Sequence, residues 1–242
     1  MENSLYVALS RQIALSENMA IIANNVANIS TPGFRGQNMI FEEYIEDPRG
    51  LEEPLSMVLD YGHYQVTDAG PISLTDNPLD VALEGPGFFG VQTQDGIQYT
   101  RAGNFTLTSE GRLVTPLGFT VASAGGGEII IPREAREVRI DENGSISTEQ
   151  GELGQIMVME FANDQNLDPV GNGLYATDDA GIPAERTRVM QGMIESSNVQ
   201  GVVEMTRMIE VSREYQALQR VIQNEHDRQR GAIQRLLQSR SA

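Results

Sequence analysis

VEMTRMIEVSREYQALQRVI, Val203 to Ile222, decides how this chain is built. Met208, Val211, Tyr215, Leu218 and Ile222 alternate spacings of three and four, the heptad signature of a helix–helix seam. Ala232 and Leu236 resume that register after the polar Glu225 and Gln229, and Met205 and Ile209 broaden the stripe. Arg207, Glu210, Arg213 and Glu214 occupy outer positions with mixed signs, as a solvated or intersubunit face does. From about Ser197 to Leu237 there is no proline, and glycine occurs only at Gly201 and Gly231. So long an uninterrupted pattern reads as a coiled-coil helix.

The other end mirrors it. Ser4 is a plausible N-cap for a helix reaching about Asn28. Its apolar stripe is Leu5, Ala8, Leu9, Leu15, Met19, Ile22 and Val26, set largely at three- and four-residue spacings. The helix ends in IIANNVANISTPGF, Ile21 to Phe34, with three asparagines (Asn24, Asn25 and Asn28) before the Ser30-Thr31-Pro32-Gly33 turn. Asparagine competes with backbone hydrogen bonding and forms helices poorly. The cluster therefore points to amide contacts that outweigh local helix stability.

Between the helices the chain changes character. LDVALEG, FFGVQT, IQYTR, NFTLT, RLVTP and EIIIP are short alternating segments, broken by QDG, SEG and PLG about every 8 to 12 residues. VRIDENGSIS, Val138 to Ser147, reads as a hairpin around Asp141-Glu142-Asn143-Gly144, and QIMVMEF, Gln155 to Phe161, as a further strand. Residues 36–76, with Pro48, Gly50, Pro54, Gly62 and Gly70, read as an extended linker. The expectation is an α+β fold, with an antiparallel β domain (77–194) inserted between terminal helical segments (1–35 and 195–242) that form one discontinuous coiled coil. The same pattern fits an ordinary helical hairpin capping a β domain, and each stripe could pack on the other or on copies of itself.

Composition narrows the function. The 242 residues carry a formal net charge of −17, which disfavours a nucleic-acid partner. Every residue in the Lys+Arg count is arginine, the better residue for fixed interface pairs. There is no cysteine, hence no disulfide and no thiolate metal site. No apolar run approaches the roughly 20 residues of a membrane span, and MENSLYVALSRQ lacks the features of a secretory signal. If the chain is exported, the expected route is not the general one. His63 and His226 lie in different predicted regions without metal-spaced carboxylates. DENGSISTEQGE fails as a calcium loop, since Gly144 stands fourth where the glycine belongs sixth. GPGFFG, Gly85 to Gly90, leads into a strand and so makes no phosphate cradle. Asn28-Ile29-Ser30 fits a glycosylation sequon, a short pattern that recurs by chance. No catalytic, cofactor-binding or metal site is expected, and no small-molecule substrate.

ANNVANISTPGFR closely resembles the rod signature of bacterial flagellar axial proteins, carried here by Asn24, Asn25, Asn28, Gly33, Phe34 and Arg35. Pro32 departs from the threonine often found there and stiffens the turn; Arg11 replaces the usual glycine of the family's opening. ESSNVQGVVEMTRMIEVSREYQ, Glu195 to Gln216, looks like the family's C-terminal signature, and NPLDVALEGPGFFGV with YTRAGNFTLTSEGRLVTPLGF resembles the β domain of its rod and hook subunits. The resemblance implies a non-enzymatic rod subunit of the flagellar basal body, required for motility. Its terminal helices would line a hollow tube in the rod core, with the β domain outward, and would transmit torque. Its partners would be other proximal- and distal-rod subunits, copies of itself, and the flagellar type III export apparatus. Within the family, FEEYIEDPRG and the compact linker look more like a proximal-rod than a distal-rod member. The asparagine cluster would then sit at an intersubunit contact and fix register, and the Thr31–Phe34 turn would send the chain outward. Phe41 and Ile45 in FEEYI form a candidate export signal. A secreted β-rich carbohydrate-binding module is the competing reading, and it has no need of heptads at both termini.

Overall fold

A computed structural model describes residues 2–46, 55–135 and 137–239. The chain forms two compact units, one of Met1–Ala27, Gln37–Gln65 and Gln200–Ala242, the other of Asn28–Gly36 and Val66–Val199. Helices stand at the two ends with a β-rich region between them, an α+β arrangement.

The first unit holds helices α1 (Glu2–Ala27) and α2 (Gly201–Ser239) and strands β1 (Gln37–Glu46) and β2 (Leu55–Gln65). α1 starts at Glu2, so Ser4 lies inside it and is not its cap. Gln12 Nε2 donates to the Tyr215 hydroxyl at 3.0 Å and Asn25 Nδ2 to Glu204 at 3.1 Å, so the helices run antiparallel. Ala8, Ala14, Leu15 and Ile22 form the buried face of α1. Leu9, expected in the seam, is 48% exposed, because it lies about 100° around the helix from Ala8, which takes that place. On α2 the half-buried positions include Met208, Val211, Tyr215, Leu218 and Ile222, with Glu225 and Gln229 continuing the spacing. Among the described side chains of α2, only Glu204 is fully buried.

Residues 37–65, expected as linker, contain a long antiparallel ribbon instead: β1 pairs with β2 from Gln37↔Gln65 to Glu46↔Leu55. Ile40 faces Gly62 while Phe41 faces Asp60, so Gly62, at φ 132°, sits at a β-bulge within a strand and does not end one. Pro48, Gly50 and Pro54 lie outside the described residues, as do the side chains of Leu5 and Ile45.

The second unit is antiparallel β. Its largest sheet runs in the order Asp168–Gly171, Leu174–Ala176, Gly96–Thr100, Phe88–Thr93, Thr120–Val121, Leu113–Val114, Thr106–Leu107, and Val158–Glu160 also pairs with Phe88–Thr93. The expected hairpin is present: Val138–Ile140 pairs with Ser145–Thr148, and Gly144 at φ 83° donates to the Asp141 carbonyl. The expected strand Gln155–Phe161 is broken, since Gln155 ends one strand and Val158 opens the next. Phe89, Phe105, Leu113, Ile129 and Ile146 lie in the main core, and Phe88, Phe161, Leu167 and Tyr175 form a second cluster.

Glu160 is buried beside these clusters. Burial alone would raise its pKa, but the Arg186 backbone N–H, the Thr187 hydroxyl and the Arg186 guanidinium outweigh that and hold it below the ordinary carboxylate value. A carboxyl with a depressed folded-state pKa stabilises above its unfolded pKa, and that contribution is lost as pH falls through the folded value. The urea midpoint should therefore fall on acidification from pH 7 toward pH 3, and Glu160→Gln should flatten the fall. An unchanged pH profile in Glu160→Gln would show that Glu160 carries none of it.

Candidate assembly site

Asn25 is the buried polar centre of the helical unit. Its Nδ2 donates to the Gln37 carbonyl at 2.8 Å and to Glu204 Oε2 at 3.1 Å, while its Oδ1 accepts the Gln37 N–H at 3.0 Å. One amide thereby ties α1 to the start of β1 and to the first turn of α2. Arg207 closes the cluster, donating to Glu204 Oε1 at 2.9 Å and Asn38 Oδ1 at 3.2 Å. Both side-chain N–H donors of Asn25 are thus used inside one chain. Asn24 lies on the exposed side of α1. Asn28 belongs to the turn, where its Oδ1 accepts from the Thr31 hydroxyl and its carbonyl from the Thr31 N–H. Asn25→Ala should cost about 1–3 kcal/mol, the penalty for orphaning buried partners. Urea unfolding followed by helical circular dichroism measures it, and a cost near zero would remove Asn25 as a tie.

Thr31-Pro32-Gly33-Phe34 forms a turn closed by Phe34 N–H to the Thr31 carbonyl at 3.3 Å, within the β unit. Proline suits the second position, and Gly33 supplies the positive φ (64°) of the third. Space also demands glycine there, since a Cβ on Gly33 would lie 2.4 Å from the Arg101 backbone carbon. The Gly33 N–H donates to the Glu195 carbonyl at 2.8 Å.

Arg35 is buried in the same unit at 3% exposure, paired with Asp164 at 2.8 Å, its guanidinium 4.7 Å from the Phe88 ring centroid. Asn163 caps the single turn Asp164–Asn166 by accepting the Gln165 N–H, which fixes Asp164 for that pair. Phe88 meets Phe161 and Tyr175 edge-on and has Arg101 on it at 5.7 Å. Arg101 and Glu195 are the deepest ion pair among the described residues, 0% and 2% exposed, at 2.7 Å. Arg101 also donates to the carbonyls of Gly85, Gly87 and Leu83, and Glu195 Oε1 accepts the Gly70 N–H. Burial lowers the Arg101 pKa from its ordinary value, and Glu195 works against that.

Asn198 completes the site. Its Oδ1 accepts the Gly36 N–H at 2.8 Å, its Nδ2 donates to the Val66 and Asp68 carbonyls at 2.9 and 2.8 Å, and its own N–H donates to the Phe34 carbonyl. Arg101, Asp164, Glu195, Asn198 and Glu204 had not been singled out from the sequence. Glu195 and Asn198 stand in the C-terminal signature itself, whereas nothing local marks Arg101 as buried. Phe41, of the candidate export signal, is exposed on β1 at 46%. Among the described residues there is no group of three or more side chains able to hold a metal, and no helix long and apolar enough to cross a membrane.

Three family profiles match the chain: "Flagella basal body rod protein" over residues 5–35, "Flagellar hook protein FlgE/F/G D1 domain" over 82–148, and "Flagellar basal body rod FlgEFG protein C-terminal" over 190–235. The chain belongs to the flagellar basal-body rod protein family, as a structural subunit and not an enzyme. It is 36% identical to the rod protein FlgF of Caulobacter vibrioides, with 98% of each chain covered. FlgF of Mesorhizobium japonicum is 33% identical, covering 89% of this chain and 90% of its own. FlgG of Buchnera aphidicola from Acyrthosiphon pisum is 35% identical, covering 88% and 92%. The family places the chain in the flagellar basal body, assembled with other rod subunits.

Proposed function

We propose that this chain is the FlgF-type subunit of the proximal rod, and that its terminal helices pair as a coiled coil in the rod core. The observation that carries the choice is the match to a FlgF over 98% of both chains, against 88% of this chain for the FlgG relative. The antiparallel pairing of α1 with α2 and the heptad spacing of half-buried positions on α2 support the coiled coil. In the rod the subunit would stack helically on copies of itself, on other proximal-rod proteins and on distal-rod FlgG. It would line the export channel, transmit torque across the periplasm, and reach its place through the flagellar type III apparatus. The exposure of Phe41 is compatible with an export signal at Phe41 and Ile45. The second reading is distal-rod FlgG, kept by the 35% identity to that relative.

Cryo-EM of basal bodies from cells whose sole copy is a tagged, functional version of this chain tests the choice. Tag density in the rod next to the membrane-embedded base is the expected result. Density restricted to the outer rod would replace the proximal assignment with the distal one. Absence of the tag from every basal body would end the rod reading for this chain.

A further inference from the structure

The chain crosses between its two compact units at four places: 27/28, 36/37, 65/66 and 199/200. Within the β unit, three of those roots converge on one side chain. Asn198 accepts the Gly36 N–H and donates to the Val66 carbonyl, and it stands next to Val199, the last residue before the crossing at 199/200. Val66 N–H bonds the Gly36 carbonyl at 2.8 Å, and Asn198 N–H bonds the Phe34 carbonyl at 3.2 Å, so the roots are also stitched to one another. Asn198 is half-buried and belongs to neither apolar cluster. Its position is therefore that of a tie and not of a core residue.

We propose that Asn198 is a positioning residue that gives the three crossings a common, stiff root, and that force passing along the chain between its units depends on it. The force-bearing part rests on the reading of the chain as a rod subunit; the tie itself does not. Covalent continuity alone leaves each crossing free to move about its own backbone torsions. The amide accepts from Gly36 while donating to the carbonyls of both Val66 and Asp68, whereas a hydroxyl has one proton to donate and an aliphatic side chain none.

The test uses the full-length protein and two variants. In Asn198→Ala, hydrogen exchange at the Gly36 and Val66 amides should accelerate about tenfold or more, while Ile131, bonded to the Gly111 carbonyl, keeps its protection. In Asn198→Asp, which keeps an oxygen acceptor for Gly36 but turns a carboxylate toward two carbonyls, Gly36 should stay protected and Val66 should not. Equal acceleration at Gly36, Val66 and Ile131, or no acceleration in either variant, would overturn the tie. In cells where the wild-type chain restores motility, Asn198→Ala incorporated at wild-type level should lose swimming speed more steeply than wild type as medium viscosity rises. A parallel viscosity dependence would overturn the mechanical role and leave the tie standing. Failure of the wild-type chain itself to restore motility would count against the rod assignment and not against the tie.

Discussion

Arg101→Ala should destabilise the β unit by about 3–5 kcal/mol, the cost of removing one member of a buried ion pair. The loss strands Glu195 at 2% exposure and frees the carbonyls of Leu83, Gly85 and Gly87 from their shared donor. Glu195→Gln separates the parts of this effect. It removes the charge and leaves a single side-chain oxygen, which can keep accepting from Arg101 but not also from the Gly70 N–H, while Arg101 stays in place on the three carbonyls, so its cost should be the smaller of the two. Urea denaturation of the full chain at pH 7, followed in the near-ultraviolet, reads both. A cost for Arg101→Ala below about 1 kcal/mol, the range of a solvent-exposed pair, would contradict the burial described for it.

Gly33→Ala should unseat the turn of the rod motif and abolish motility. Two penalties coincide: a left-handed backbone, about 1–2 kcal/mol for a residue with a Cβ, and overlap with the Arg101 main chain. Gly118→Ala separates them. Gly118 has φ 88° and nothing within 4 Å of a built Cβ, so it carries the backbone penalty without the overlap. Protection of the Asn198 amide, which bonds the Phe34 carbonyl, should fall sharply in Gly33→Ala and stay near wild type in Gly118→Ala. Equal behaviour of the two variants would show that the contact with Arg101 does not constrain residue 33.

The terminal helices and the hairpin around Gly144 were legible because periodicity and turn chemistry are local. Leu15, Ile22, Met208 and Tyr215 announce a helix face by spacing, and Asp141–Gly144 announces a turn by composition. The β1–β2 ribbon was not legible, because a glycine at a bulge looks like a glycine that ends a strand. Arg35 could be named from its motif, but its partners Asp164 and Phe88 lie 129 and 53 residues away, beyond anything that spacing records. Arg101 was missed for a stronger reason. An arginine after a strand is read as solvated, and only the meeting of Glu195 with three carbonyls makes full burial tolerable. The composition around Asn25 marks an amide in need of partners but not where they are; they lie 12 and 179 residues along the same chain.

Those separations carry a kinetic consequence. Asn25 meets Glu204 across 179 residues and Gly36 meets Asn198 across 162. Contacts of such span form late, because loop-closure entropy must be met before the bond rewards it. The core strands from Val81 to Val189 can pair with the ends still loose, whereas neither tie can close before residues 198 and 204 are present. A chain made or delivered amino end first would therefore pass most of its length with its first helix unmoored. It would become a finished part only when its last segment arrives.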